Sequence, residues 1–192
     1  IRILIWKIVE TLPDLKGSTF LIKDQEKELR KRKVNSHKKQ YLASRKLLNM
    51  VRSNELNDTF YESLFLNKKF CYSISHTIDF AVLALGYQKI GVDIECYRPK
   101  ILNLKSKFIN IEEKYFMKTD NIKTITRLWT CKEAIYKIFS RYKISLKEDI
   151  ILKKIDSRSK YGQGLVHLDD KIIPINLHFS NLEEHQLTLS FL

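Results

Sequence analysis

The sequence predicts an α+β fold in two halves, each pairing a long helix with about three or four mostly antiparallel strands. Two observations carry that prediction. Apolar residues recur at helical spacing in two long stretches, Ser36 to Arg52 and Ile122 to Tyr142, the second through Ile122, Ile125, Leu128, Trp129, Ile135 and Phe139. Between and after them lie short β-rich runs bounded by turn residues.

In chain order, residues 2–10 read as an opening strand because apolar and polar residues alternate in Ile1-Arg2-Ile3-Leu4-Ile5-Trp6. Asp24 to Arg32 and then Ser36 to Arg52 read as helices, with Ser36 the expected N-cap of the second. Phe70 to Ser75 and Phe80 to Tyr87 read as strands. The run Phe80-Ala81-Val82-Leu83-Ala84-Leu85 is wholly apolar and so expected to be buried on both faces. A tight connection through Gln88 and Lys89 leads to Ile90–Cys96, and these two strands are expected to form a hairpin. An irregular, partly helical region follows Arg98-Pro99 to about Lys118, then the long helix Ile122 to Tyr142. Strands near Ile150 to Ile155, Gly164 to Leu168, Ile172 to Phe179 and Gln186 to Phe191 close the chain.

Composition narrows the function classes. With 192 residues, 44% of them apolar and 30% charged, the chain is long enough for one sizeable domain or two small lobes and reads as globular. No stretch approaches the roughly 18 to 20 apolar residues of a membrane span, and the apolar start is too short for a signal peptide. The three cysteines, Cys71, Cys96 and Cys131, have no paired metal-ligand spacing and predict reduced thiols in a cytoplasmic protein, with Cys131 a packed small residue. His37, His167, His178 and His185 have no partners at ligand spacing either. The net charge of +13, with 35 Lys and Arg against 22 Asp and Glu, is concentrated between Lys27 and Lys46. Such a run can track a nucleic-acid backbone or steer acidic proteins and polyanionic small molecules. No helix-turn-helix, zinc-finger or RNA-binding motif accompanies it.

Two segments carry the chemistry: Gly91-Val92-Asp93-Ile94-Glu95 and Trp129-Thr130-Cys131-Lys132-Glu133-Ala134-Ile135-Tyr136-Lys137. On a strand, Asp93 and Glu95 point to one face while Val92 and Ile94 turn toward the core. On a helix, Glu133 and Lys137 lie one turn apart on one side. Three converging carboxylates suit Mg²⁺, which takes few protein ligands and completes its shell with water and phosphate. Taken singly, Asp-x-Glu at a strand end reads as a solvated edge and Glu-x-x-x-Lys as a surface ion pair of roughly 0.2 to 0.5 kcal/mol.

Together, and with Tyr72-Ser73-Ile74-Ser75-His76-Thr77 and Ala43-Ser44-Arg45 upstream, the segments resemble the 4′-phosphopantetheinyl transferases, in particular the Sfp-like branch in which one chain carries two related halves. The matches run in the family's order from about residue 40 to 140. The resemblance implies two pseudo-symmetric lobes, each a long helix packed on a small sheet, with the active site in the cleft between them. Residues 1–89 would form the N-terminal lobe, with the coenzyme A-binding helix and the Ser-His segment. Residues 90–192 would form the C-terminal lobe, with the Asp-x-Glu strand and the Lys-Glu-Ala helix.

The implied reaction transfers the 4′-phosphopantetheine arm of coenzyme A to a serine of an apo acyl or peptidyl carrier protein, releasing adenosine 3′,5′-bisphosphate. Asp93, Glu95 and Glu133 would hold Mg²⁺ or Mn²⁺; Asp93, Glu133 and Lys137 would be catalytic, Glu133 as the group that takes the serine proton. Arg45, Lys68, Ser75, His76 and Lys137 would bind coenzyme A. Around Lys68 the chain reads Asn67-Lys68-Lys69 where the family has Gly-Lys-Pro, keeping the lysine and losing its neighbours. Lys132 is expected either to reach phosphate or to be solvated. The partners implied are coenzyme A and an acidic carrier protein, with the enzyme a cytoplasmic monomer. Two other classes fit parts of the sequence: a basic nucleic-acid-binding protein, which would not need the three carboxylates, and a metal-dependent phosphohydrolase, which would.

Overall fold

The structure, a computed structural model, describes residues 1–53, 70–116, 121–155 and 159–192. The chain is α+β and forms two compact units, Ile1–Tyr87 and Gln88–Leu192.

The first unit is a three-stranded antiparallel sheet of order β1-β3-β2, where β1 is Arg2–Lys7, β2 is Cys71–His76 and β3 is Phe80–Gly86. Its helices are α1 (Leu12–Gly17), α2 (Lys23–Lys31) and α3 (Asn35–Arg52). A capping box starts α1: Thr11 Oγ1 accepts from Asp14 N–H, and the Asp14 carboxylate accepts from Thr11 N–H in return. Helix α3 starts one residue before its expected cap, with Val34 at the N-cap and no side-chain bond to the free N–H groups, so Ser36 is helical. Its Leu42, Ala43, Leu47, Leu48 and Val51 pack on Ala81, Leu83 and Leu85 of β3. Every residue of β3 is buried, as its unbroken apolar run predicts.

The second unit is a five-stranded antiparallel sheet of order β4-β8-β7-β6-β5: β4 Ile90–Cys96, β5 Ile150–Ile155, β6 Tyr161–Leu168, β7 Lys171–Leu182 and β8 His185–Phe191. Between β4 and β5 come two 3₁₀ segments, Pro99–Leu104 and Ile111–Phe116, the short helix α4 (Lys105–Phe108) and the long helix α5 (Ile122–Ile138). Asn121 caps α5 by accepting from Lys123 N–H, 2.8 Å. The helix ends at Ile138, a turn short of Tyr142, where Phe139 leaves helical geometry and its carbonyl accepts from Tyr142 N–H. Pro174 sits in β7 opposite Leu165 of β6, in a stretch that ends before β8 pairing begins at Asn176, so its missing N–H interrupts no second ladder. Ile125, Leu128, Cys131 and Ile135 of α5, with Phe139 just past its end, bury themselves against Ile150, Leu152, Val166, Ile175, Leu177 and Phe179, at roughly 1.5 to 3 kcal/mol for each large side chain.

The expected hairpin of β3 with β4 does not form. Both edges of β3 are taken, by β1 and β2, so the connection through Gln88 and Lys89 leads into a different sheet, where β4 pairs with β8 near the far end of the chain.

Candidate functional site

The site in the second unit begins with a glycine. A Cβ on Gly91 would lie 1.9 Å from the Ala134 carbonyl oxygen and 2.8 Å from Ser190 Oγ, so the backbone of α5 rests directly on β4 at this point. The pleat then puts Gly91, Asp93 and Glu95 on the face that meets α5, opposite Ser190, Thr188 and Gln186 of β8. Polar groups on the two elements meet across it. Thr130 Oγ1 and Thr188 Oγ1 share a hydrogen bond of 2.8 Å, Arg127 Nε donates to Gln186 Oε1 at 3.1 Å, and Trp129 Nε1 donates to Glu95 Oε1 at 3.2 Å. Val92 and Ile94 are buried on the opposite face, so β4 is covered on both sides and Asp93 is only 5% exposed.

Lys137 ties the helix to the strand. Its ammonium donates to Val92 O at 2.7 Å and to Asp93 Oδ1 at 2.9 Å. Lys137 therefore pairs with Asp93 across the helix–strand contact, where helical spacing pointed to Glu133 one turn back. Glu133 is left facing carboxylates: burial first, then the Asp93 and Glu95 charges, push it up to about 7 against the pull of Lys137. Glu95 is also raised, by burial and then by Asp93, with the Trp129 hydrogen bond opposing. Among the described residues, these three carboxylates share a low-dielectric region with the Lys137 ammonium.

Among the described residues, no three His, Cys, Asp or Glu side chains form a ready cage for a metal ion. Lys137 occupies an Asp93 oxygen and Trp129 a Glu95 oxygen. In donor type and charge, however, the set fits a hard divalent cation: all oxygen and acidic, with Glu95 and Glu133 raised by burial and then by neighbouring carboxylate charge that such an ion would offset. Asp93, Glu95 and Glu133 would hold it.

Lys132 departs from both of its expectations. It is fully buried, and its ammonium donates to Glu113 Oε2 at 2.8 Å, Leu146 O at 2.9 Å and Ile150 O at 2.7 Å, which uses all three protons. Glu113, also fully buried, accepts in turn from Asn110 N–H at 2.8 Å and Leu152 N–H at 2.7 Å. Burial lowers the lysine's pKa and Glu113 opposes the shift. The network stitches α5 to the 3₁₀ turn before it and to β5 after it, and so fixes which side of α5 faces β4. A signal was present in the sequence: Ile125, Leu128, Lys132, Ile135 and Phe139 follow one apolar heptad stripe, with the lysine at a core position. Cys131, packed beside it, has its thiol pushed up to about 12 by burial; Cys71 and Cys96 are free thiols of intermediate exposure.

The remaining candidates belong to the first unit. Arg45 and Arg32 both lie over the Tyr41 ring, at 4.6 and 4.0 Å from its centroid, and Arg45 Nε is buried without a hydrogen-bond partner. Ser75 is buried and His76 exposed at the end of β2, opposite Val82 and Ala81. Lys68 lies outside the described residues. The structure therefore gathers Asp93, Glu95, Glu133 and Lys137 in the second unit, while Arg45, Ser75 and His76 are carried by the first. The chain matches no protein-family model and none of the curated proteins.

Proposed function

We propose that the protein transfers the 4′-phosphopantetheine arm of coenzyme A to a serine of an acyl or peptidyl carrier protein. The observation that carries this reading is the group of Asp93, Glu95 and Glu133 on one β4–α5 face, with Lys137 on Asp93 and Glu133 raised to about 7. In the reaction the serine oxygen bonds to the phosphorus that bears pantetheine, and the bond from that phosphorus to the bridging oxygen of adenosine 3′,5′-bisphosphate breaks. A carboxylate that titrates near neutral pH is matched to taking the serine proton, which is the role of Glu133. The Lys137 ammonium offsets charge on the departing phosphate. Mg²⁺, when bound by the three carboxylates, supplies further charge compensation at the pyrophosphate.

The same reading takes the two units as related lobes of the Sfp-like plan and gives coenzyme binding to Arg45, Ser75 and His76, along with Lys68. The net charge of +13 suits both a polyanionic coenzyme and an acidic carrier. The test is incubation with coenzyme A, Mg²⁺ and an apo carrier protein, followed by mass spectrometry. A phosphopantetheine adduct on the carrier serine is expected, lost in Asp93→Ala and Glu133→Ala. Cleavage of coenzyme A without an adduct would reassign the site to a phosphohydrolase, and near-wild-type transfer by either variant would overturn the assignment.

A further inference from the structure

The first unit contains a cavity of about 340 Å³ between α1, α2 and the start of α3 that has no part in the reading above; none of Arg45, Ser75 or His76 lines it. Its apolar surface is Leu21, Leu29 and Leu42. At its wall stands Thr19, a residue only 8% exposed whose hydroxyl is buried and has no hydrogen-bond partner. Buried hydroxyls are nearly always satisfied, so an orphan that lines a cavity marks a place where a ligand atom would complete the structure. The rim is cationic. Arg30 is paired with Glu26 at 3.5 Å, which cancels one charge of each sign, while Lys16 and Lys38 have no ion-pair partner among the described residues. Two ammonium groups without an ion-pair partner among the described residues, set around an apolar floor with one free hydroxyl, favour an anion over a cation.

From this we infer that the cavity is a binding site for a small organic anion: a compound whose apolar body rests on Leu21, Leu29 and Leu42, with its acidic oxygens reaching Lys16 and Lys38 and one oxygen accepting from Thr19 Oγ1. The volume lies at the small end of ligand pockets and fits a body of one or two rings or a short branched chain. The inference rests on the first unit alone and stands or falls independently of the transferase reading.

The experiment uses the full chain and the fluorescent two-ring anion naphthalene-1-sulfonate, compared with 1-methylnaphthalene, which has the same apolar body without the sulfonate. Saturable binding of one sulfonate probe per chain is expected, about tenfold tighter than the neutral probe, a difference equivalent to about 1.4 kcal/mol. Lys38→Glu, a change at the rim, should weaken the sulfonate about tenfold and leave the neutral probe unaffected. Thr19→Val, which keeps the shape and removes the hydroxyl, should weaken it several-fold. Thermal unfolding of each variant checks that the unit is intact, and Lys16→Glu serves as a second rim change if Lys38→Glu unfolds. Non-saturable binding, equal affinity for the two probes, or binding insensitive to both rim substitutions would overturn the inference.

Discussion

Replacing Gly91 by alanine tests how closely the site depends on the contact between α5 and β4. The added Cβ would sit 1.9 Å from the Ala134 carbonyl oxygen, short of ordinary van der Waals contact by about 1.5 Å, and 2.8 Å from Ser190 Oγ. Ser190 Oγ can rotate away; a carbonyl in the middle of a helix that buries Ile135, Cys131 and Leu128 cannot move alone. The helix must shift as a body, and overpacking of that kind typically costs about 1 to 3 kcal/mol. We expect the upper end of that range because the obstacle is backbone. For a chain of this size the melting temperature should fall by roughly 6 to 12 °C. The same displacement lengthens the 2.9 Å contact between Lys137 and Asp93 and carries Glu133 away from Asp93, so the proposed pantetheine transfer should fall with it. Gly86→Ala is the internal control, since its Cβ would meet Ile1 Cγ1 at 3.4 Å, an ordinary contact, and should leave stability within about 0.5 kcal/mol. Thermal and urea unfolding of both variants measure the difference. If Gly91→Ala melts within a degree of wild type, α5 does not rest on β4 as described and the construction of the site fails.

Three further substitutions probe the electrostatics. Lys132→Met should destabilise by about 3 to 5 kcal/mol because it leaves the Glu113 carboxylate buried without its cation, and Lys132→Met with Glu113→Gln should recover much of that loss; equal urea midpoints for the single and double variants would refute the pairing. Glu133 keeps its proton in the folded state up to about 7 against an ordinary value of 4.5, so without metal the stability of the protein should fall as pH rises through that window, by about 2 kcal/mol once solvent screening is allowed for. Glu133→Gln should flatten that slope, and millimolar Mg²⁺ should raise the wild-type melting temperature at pH 8 but not the variant's; a wild-type curve already flat between pH 4.5 and 7 would contradict the assignment. Lys137→Ala should lower kcat more than it raises KM for coenzyme A, since the charge it offsets grows as the phosphate bond breaks. An unchanged kcat would reduce Lys137 to a structural tie on Val92 O.

Local pattern was enough for the pieces of the candidate site. The strand expected over Ile90–Cys96 matches the observed β4 residue for residue, and the apolar spacing after Asn121 locates the helix that carries Glu133 and Lys137. Helix ends were less legible: nothing in Phe139 to Tyr142 is a glycine or proline stop, and Ser36 has the chemistry of a cap without the position of one.

By itself the sequence determined the order and type of the main elements, the absence of any helix long and apolar enough to span a membrane among the described residues, and which carboxylates share a strand face. Tertiary structure decided what those groups meet. The partner of β4 is β8, because β3 is already flanked on both edges, and pairing across so many intervening residues leaves no local trace. The partner of Lys137 is Asp93, on another element, whereas spacing offered Glu133 on its own. The apolar stripe put Lys132 at a core position, but only the packing of α5 between Glu113 and β5 supplies the partners that let its cation be buried there. The same holds for Glu133: its identity was on the page of the sequence, but its proton affinity is a property of burial and neighbouring charge, and both come into being only when α5 settles on β4.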